Sequence, residues 1–327
     1  MYLAPDGDEV AIASAAADFL ADAMPVSRLH EATGQSPVSD LSPDLRLNLG
    51  AMGWFALAVP ETRGGSGLSP VEHALFFREA GRQCGPVDML AQCLAADMIG
   101  DDGLRTAVMQ GANGVALVAA DGERWRIIGH ADAAHGLVVT REGSALYSLA
   151  EIACEPRPAL DPANSLRVAS TLPAPVEQCA GSRTWQLGQL GSAAMLVGMA
   201  EAALDLIVDY AKVRETFGRK IGSWQAVRHA CADMAVRVEA ARAQLWYAAA
   251  ALKEARNDAP AHLDAAKHMA NTAAMANADA NIQLHGGIGV TDEHNAHLLL
   301  KHSMLLTRLF GTKRDLLGLL LHARLDD

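Results

Sequence analysis

A chain of 327 residues is long enough for two or three packed units. Half of its residues are hydrophobic but only 5% are aromatic, and alanine is abundant, which suits tightly packed helices rather than a sheet sandwich. A net charge of −11 argues against a nucleic-acid partner, which needs a basic surface.

In chain order, the pattern predicts a first helix over 8–23, with Asp8 and Glu9 near its start. A polar loop with Gly34, Pro37 and Ser39 is expected over 30–41, then a second helix over 43–51. Gly64, Gly65 and Gly67 suggest a phosphate loop, but no Gly-Lys-Ser/Thr follows and no strand–helix unit frames them. They read instead as a tight turn before a helix capped near Ser69, with Pro70 at its first position. Helices at about 71–83, 88–99 and 102–110 complete a helical N-terminal unit.

From Gly114 the pattern changes to short β-like runs: Val115–Ala119, Arg124–Ile128, Leu137–Thr140 and Ala145–Leu149, with a further strand near 166–170. Pro156, Pro158, Pro162, Pro173 and Pro175 mark loops. These predict a small antiparallel unit of roughly 65 residues, near the lower edge of independent stability, that leans on the helical units. Trp125 reads as core or surface packing.

From Ser182 onward the chain is helical again. Two long patterns run from about Leu187 to Val213 and from Gln225 to about Leu252. Met234, Val238, Ala241, Leu245 and Ala248 form one apolar stripe on the second. Further helices are expected over 260–284 and 293–309, and a last one, capped by Thr312, carries Leu316, Leu319, Leu320 and His322. This is a helix bundle by pattern alone. The apolar run over 187–204 is interrupted by Gln189, Ser192 and Glu201, and suits a buried bundle helix better than a membrane span. The five cysteines (Cys84, Cys93, Cys154, Cys179, Cys231) are scattered and odd in number, and the first residues lack signal-peptide character. Reduced thiols and a cytoplasmic location are expected.

Between the two long helices lies the stretch 214–225, with Arg214, Arg219 and Lys220, two glycines and two hydroxyls. Such a turn either holds a phosphate group through arginine forks and free backbone N–H groups, or is a solvated helix–helix turn. A second stretch about 60 residues on, Gln283-Leu-His-Gly-Gly-Ile-Gly, favours the first reading. His285, His294, His297 and His302 cluster in sequence, and His294 and His297 could share a helix face. They lack the carboxylate partner of a known metal helix and read as surface or interface histidines, so no metal is expected. Asp292-Glu293 reads as a charge pair at a helix N-terminus.

Together the two stretches resemble the acyl-CoA dehydrogenase family, which carries Arg-x-x-Phe-Gly, a Gln eleven residues after that Arg, and then Gln-x-x-Gly-Gly-x-Gly. Arg214, Phe217, Gly218, Gln225, Gln283, Gly286, Gly287 and Gly289 carry the match. Near the N-terminus Gly53-Trp54, Val59-Pro60-Glu61, the Gly-Gly-x-Gly-Leu over 64–68 and Glu79-Ala-Gly-Arg82 extend it. The resemblance implies a mainly α fold in three domains: an N-terminal helical domain (1–112), a reduced β middle domain (113–178) and a C-terminal four-helix bundle (179–327). It also implies a site that reaches across a bundle-to-bundle interface to the FAD of a neighbouring subunit. There Arg214 would bind the pyrophosphate with Thr216 and Phe217 beside it. Gln225 and Gln283 would add polar contacts, and Gly286 and Gly287 would admit the ADP part.

Two departures from the family matter. The middle domain lacks the family's Thr-Glu-Pro and Trp-Ile-Thr/Ser segments, which face the flavin ring. The family's usual base is a Glu 27 residues after the Gln of Gln-x-x-Gly-Gly, and counting from Gln283 reaches Phe310. Some members place the base on the earlier helix, and that position falls near Gly188-Gln189. Neither offers a carboxylate, and Glu201 lies more than three turns away. The resemblance therefore implies the shorter, base-lacking subunit of a heteromeric (α2β2) FAD-dependent acyl-CoA dehydrogenase. Its partner is a second acyl-CoA dehydrogenase-like chain, which binds most of an acyl-CoA substrate, with bulky steroid-type CoA esters as candidates. Two alternatives stay open at this point. One is a self-sufficient homotetramer with an unconventional base such as Asp292 or Glu293. The other is a flavin-free helical scaffold.

Overall fold

The computed structural model describes residues 5–31, 41–150 and 152–325. Most of the loop expected over 30–41 lies outside them. The first unit holds α1 (Gly7–Ala23), α2 (Pro43–Ala51), α3 (Pro70–Arg82), α4 (Val87–Met98) and α5 (Asp102–Met109). Reciprocal capping boxes start two of them. Asp6 pairs with Glu9 at α1, and Ser69 pairs with Glu72 at α3, where Pro70 opens the helix. Helix α4 is buried along its whole length.

Next come β1 (Val115–Asp121), β2 (Arg124–Ile128), β3 (His135–Val139), β4 (Gly143–Ser148), β5 (Cys154–Arg157), β6 (Leu166–Ala169) and β7 (Glu177–Ala180). They form one sheet in the order β5-β6-β2-β1-β3-β4-β7. The expected antiparallel unit needs one correction, because β1 and β3 run parallel. Strand β2 occupies the hairpin side of β1, so the chain must cross to the other side before pairing again. The edge strands β5 and β7 escape the sequence pattern because each is four residues long and largely exposed, with no apolar alternation to read. Pro156 is tolerated in β5 because an edge strand has one side free of ladder bonds. Leu117, Ile128, Leu137 and Leu146 align across four strands and enter the main core. Ala116, Val118 and Ile127 face the other way, into a small second core.

The last unit holds α6 (Arg183–Val213), the hairpin β8 (Glu215–Thr216) and β9 (Arg219–Lys220), α7 (Gln225–Lys253), α8 (Ala259–His285), α9 (Ala296–Leu306) and α10 (Lys313–Leu320). Helix α6 is long and apolar enough to cross a membrane, but its apolar side chains line the bundle core. The predicted α7 stripe, Met234 to Ala248, is buried. Helix α9 is shorter than expected. Asp292, Glu293 and His294 stand in the turn before it, so the acidic pair is not in a first helical turn and His294 shares no helix face with His297. His322 lies beyond the end of α10.

Glu201, 4% exposed on α6, knots three helices together. It takes Arg78 and Arg82 of α3 at 2.8 and 3.3 Å and Arg242 of α7 at 3.4 Å. Removing this carboxylate strands the guanidiniums, which are themselves 21–32% exposed. Glu201→Ala is expected to cost about 2 kcal/mol, below the range for a fully buried pair because water screens the arginines. Urea denaturation checks this, and a loss near zero would mean that Glu79 and Asp205 suffice for the arginines.

Candidate functional site

The two motif stretches meet at one end of the bundle. Helix α6 ends there, α7 begins there, and the antiparallel α8 ends there. The Tyr210 ring of α6 lies 4.5 Å from the His285 ring of α8. Arg214 closes α6, its N–H donating to the Tyr210 carbonyl at 2.9 Å. The hairpin follows, pairing Glu215 with Lys220 and Thr216 with Arg219. Its tip needs positive φ at both central residues, which Phe217 (51°) and Gly218 (77°) supply. A positive φ is strained for phenylalanine, and it holds the Phe217 side chain out at 93% exposure.

Two of the three cations are engaged within the hairpin. Lys220 pairs with Glu215 at 2.7 Å, and the contact holds the Glu215 carboxyl below its ordinary range. The Arg219 guanidinium stacks 3.5 Å over the Trp224 ring. Among the described residues the Arg214 guanidinium has no partner. Gln225 opens α7 and Gln283 lies in the last turn of α8, both exposed. Gly286 (φ 68°, ψ −145°) adopts a backbone closed to other residues, and a Cβ on Gly286 or Gly287 would meet nothing within 4 Å. This donor set has one free guanidinium, neutral amides, a hydroxyl, bare backbone and no carboxylate. It fits the diphosphate and polar edges of FAD.

The position of the family's base lies elsewhere. Phe310 sits on the loop after α9, also at positive φ (55°), and is 6% exposed. A Cβ on Gly188 would lie 2.2 Å from its ring, so the two places where a base could stand are one place, filled by a ring packed on a glycine. Trp185 meets Phe310 edge-on at 5.5 Å, and Arg141 stacks on Trp185 at 4.9 Å. One stretch of α8 holds the loop. Lys267 donates to the Leu306 carbonyl at 2.8 Å and Asn271 to that of Gly311 at 3.3 Å. Burial pushes the Lys267 amine down to about 7. Gln189 donates to Asp264 at 2.8 Å and to the Phe310 carbonyl at 3.3 Å, and Arg141 donates to the same Asp264 oxygen at 2.7 Å.

A cleft of about 450 Å³ opens beside this ring, between the sheet and the bundle. Trp125 lines it, so that side chain faces the cleft as well as packing on the small core. Among the described residues its carboxylates are Glu142, exposed, and Asp315, which caps α10 through Thr312. Asp292 and Glu293 follow the far end of α8. That end lies about 30 Å along the helix from Asp264, at 1.5 Å per residue. The Arg141–Asp264–Gln189 network joins groups far apart in sequence, and no motif could have announced it.

Residues 6–106 match the model of the acyl-CoA dehydrogenase N-terminal domain, and residues 182–322 that of the acyl-CoA dehydrogenase C-terminal domain. The acyl-CoA dehydrogenase IpdE2 of Mycobacterium tuberculosis is 34% identical over 83% of this chain and 83% of its own length. The acyl-CoA dehydrogenase FadE34 of the same organism is 36% identical over 78% of this chain, which spans only 38% of that relative. Among solved structures, the Tcur3481–Tcur3483 steroid ACAD superposes with a TM-score of 0.80 at 23% identity, covering 96% of this chain and 97% of the other. The ChsE4–ChsE5 complex of M. tuberculosis gives a TM-score of 0.79 at 20% identity over 98% of each chain. The chain belongs to the acyl-CoA dehydrogenase family, FAD-dependent oxidoreductases that act on CH–CH bonds.

Proposed function

We propose that this chain is the base-lacking subunit of a heteromeric acyl-CoA dehydrogenase, most simply α2β2, that completes the FAD site of a second acyl-CoA dehydrogenase-like chain. One observation carries this reading: a set of groups suited to a flavin diphosphate stands exposed at one end of the bundle, while Phe310 on Gly188 fills the place that the resemblance assigns to the base. Bound FAD would supply a hydride acceptor for the β-carbon of an acyl thioester. This chain's share is binding. Arg214 offsets the diphosphate charge. Thr216, Gln225 and Gln283 offer hydrogen bonds, Phe217 supplies an apolar face, and Gly286 and Gly287 let backbone approach. Phenylalanine accepts no proton, so the α-proton falls to a carboxylate of the partner. The three-unit division at 1–112, 113–178 and 179–327, and a cytoplasmic location, belong to the same reading. A bulky, steroid-type CoA ester is the proposed substrate, supported by the steroid ACAD among the structural neighbours.

Expression of the chain alone and together with its genomic neighbour, followed by flavin absorbance and mass measurement, tests the proposal. A yellow complex is expected only on co-expression. A yellow homotetramer from the lone chain would establish a self-sufficient enzyme, and a colourless co-complex would establish a scaffold. In the yellow complex, Phe310→Ala, Glu142→Gln, Asp292→Asn and Glu293→Gln are each expected to keep more than about a tenth of the activity. Losing a general base costs about 10²–10⁴-fold. A loss of that size from one carboxylate change, with flavin still bound, would place the base in this chain.

A further inference from the structure

We propose that His285 is the positioning residue of the flavin half-site, its neutral ring coupling the Arg214 end of α6 to the Gly286–Gly287 turn. The inference rests on the half-site reading above. His285 is the last residue of α8 and is 5% exposed. Its ring packs in a short column of tilted rings, 4.5 Å from Tyr210 and 4.3 Å from His294. Tyr210 also accepts the Arg214 N–H, so one ring contact joins the arginine to the glycine turn. Gly286 and Gly287 have no side chains with which to hold themselves, and among the described residues nothing beyond their chain neighbours lies within 4 Å of where their Cβ atoms would be. The ring beside them adds a side-chain contact to a turn otherwise held by its own backbone bonds.

The column requires a neutral imidazole. Nδ1 lies 2.8 Å from the Asn281 carbonyl and must donate to it. Nε2 is buried with no hydrogen-bond partner among the described residues. A proton on Nε2 would add a buried charge without an acceptor, facing a second histidine. The groups around it do little to help. Tyr210 and Asn281 meet the ring from α6 and α8, and His294 meets it from the turn before α9. His294 is influenced in turn by His297 and His30. His297 has Lys301, Asp292 and His30 near it. The His30 ring nitrogens lie 2.6 Å from the Asp292 carbonyl and 2.6 Å from Asn295 Oδ1. Burial also holds His285 below its ordinary value, against the bond to Asn281. The sign follows. Above about pH 6.5 the ring is neutral whether packed or released, and the column stands. As pH falls below that, the released ring takes a proton that the packed ring refuses, so packing weakens.

The test uses the co-purified complex at pH 7.5 and 5.5, with FAD as the probe. His285→Phe keeps a ring that cannot be protonated, and His285→Ala removes it. Amide exchange over 281–290, corrected for the intrinsic pH effect, reads the turn directly, and gel filtration reads FAD retention. In the wild type, protection is expected to fall at pH 5.5, by up to about tenfold, and FAD retention with it. His285→Phe should lose less of both on acidification than the wild type, the remainder belonging to the half-buried His294, and His285→Ala should be weak at both values. If His285→Ala does not fold, the His285→Phe comparison decides. Wild-type protection that ignores pH, or a His285→Phe variant that loses protection as the wild type does, would overturn the proposal. The expected protection pattern with FAD retention unmoved would uphold the ring's hold on the turn and overturn the half-site reading instead.

Discussion

Arg214→Ala is expected to lower the FAD retained by the assembled complex tenfold or more, with folding and assembly intact. Charge-assisted hydrogen bonds contribute about 1.5–3 kcal/mol, and every 1.4 kcal/mol is a factor of ten. The neighbouring cations cannot replace the guanidinium, because Lys220 is held by Glu215 and Arg219 by Trp224. The fold should not notice the change, since Arg214 is exposed and closes α6 through its backbone N–H, which alanine keeps. Arg214→Lys should fall between, keeping the charge and losing the planar fork. The measurement is flavin absorbance per complex after gel filtration, beside a thermal melt. Equal flavin in Arg214→Ala and wild type would remove the arginine from the site.

The second large effect is on stability. Gly198→Ala is expected to cost about 3 kcal/mol, even though alanine favours a helix by up to about 1 kcal/mol over glycine. At the crossing of α3 and α6, a Cβ on Gly198 would lie 1.9 Å from the Arg78 carbonyl oxygen. A Cβ on Gly81 would lie 2.0 Å from the Met195 carbonyl oxygen, so the glycines face backbone from both sides. The obstacle is main chain, which cannot swing aside like a side-chain tip. Two helices carrying the rest of the interface must separate instead, loosening Glu201 from Arg78 and Arg82. For a protein with 5–15 kcal/mol of total stability, that is a substantial share. Chemical denaturation of Gly198→Ala against wild type checks it. A loss below about 1 kcal/mol would show that the crossing can relax.

Elements with local signals were legible. Ser69 and Thr312 cap the helices that they precede, and the α7 stripe from Met234 to Ala248 is buried as its spacing demands. Capping and amphipathic spacing act over a few residues, so the sequence displays them directly. Elements whose partners are remote were not legible. The parallel β1–β3 pair and the polar edge strands β5 and β7 depend on where the rest of the sheet sits. The extent of α9 depends on how the turn holding Asp292 and His294 packs against His30 and His285.

The candidate site divides along the same line. The sequence by itself determined the family resemblance and nominated the seven residues from Arg214 to Gly287, because they sit in two short stretches at a matching separation. It also determined that no carboxylate stands at 310, 188 or 189. Only the tertiary structure decided that Phe310 and Gly188 occupy one place, that Arg141 and Asp264 brace it, and that His285 joins the two stretches through Tyr210. Those facts are contacts between residues about 75 to 123 positions apart, made by helices crossing in the bundle and by the sheet packed beside it. Chain spacing carries no trace of such contacts, because they exist only once the apolar faces that bring them together are buried.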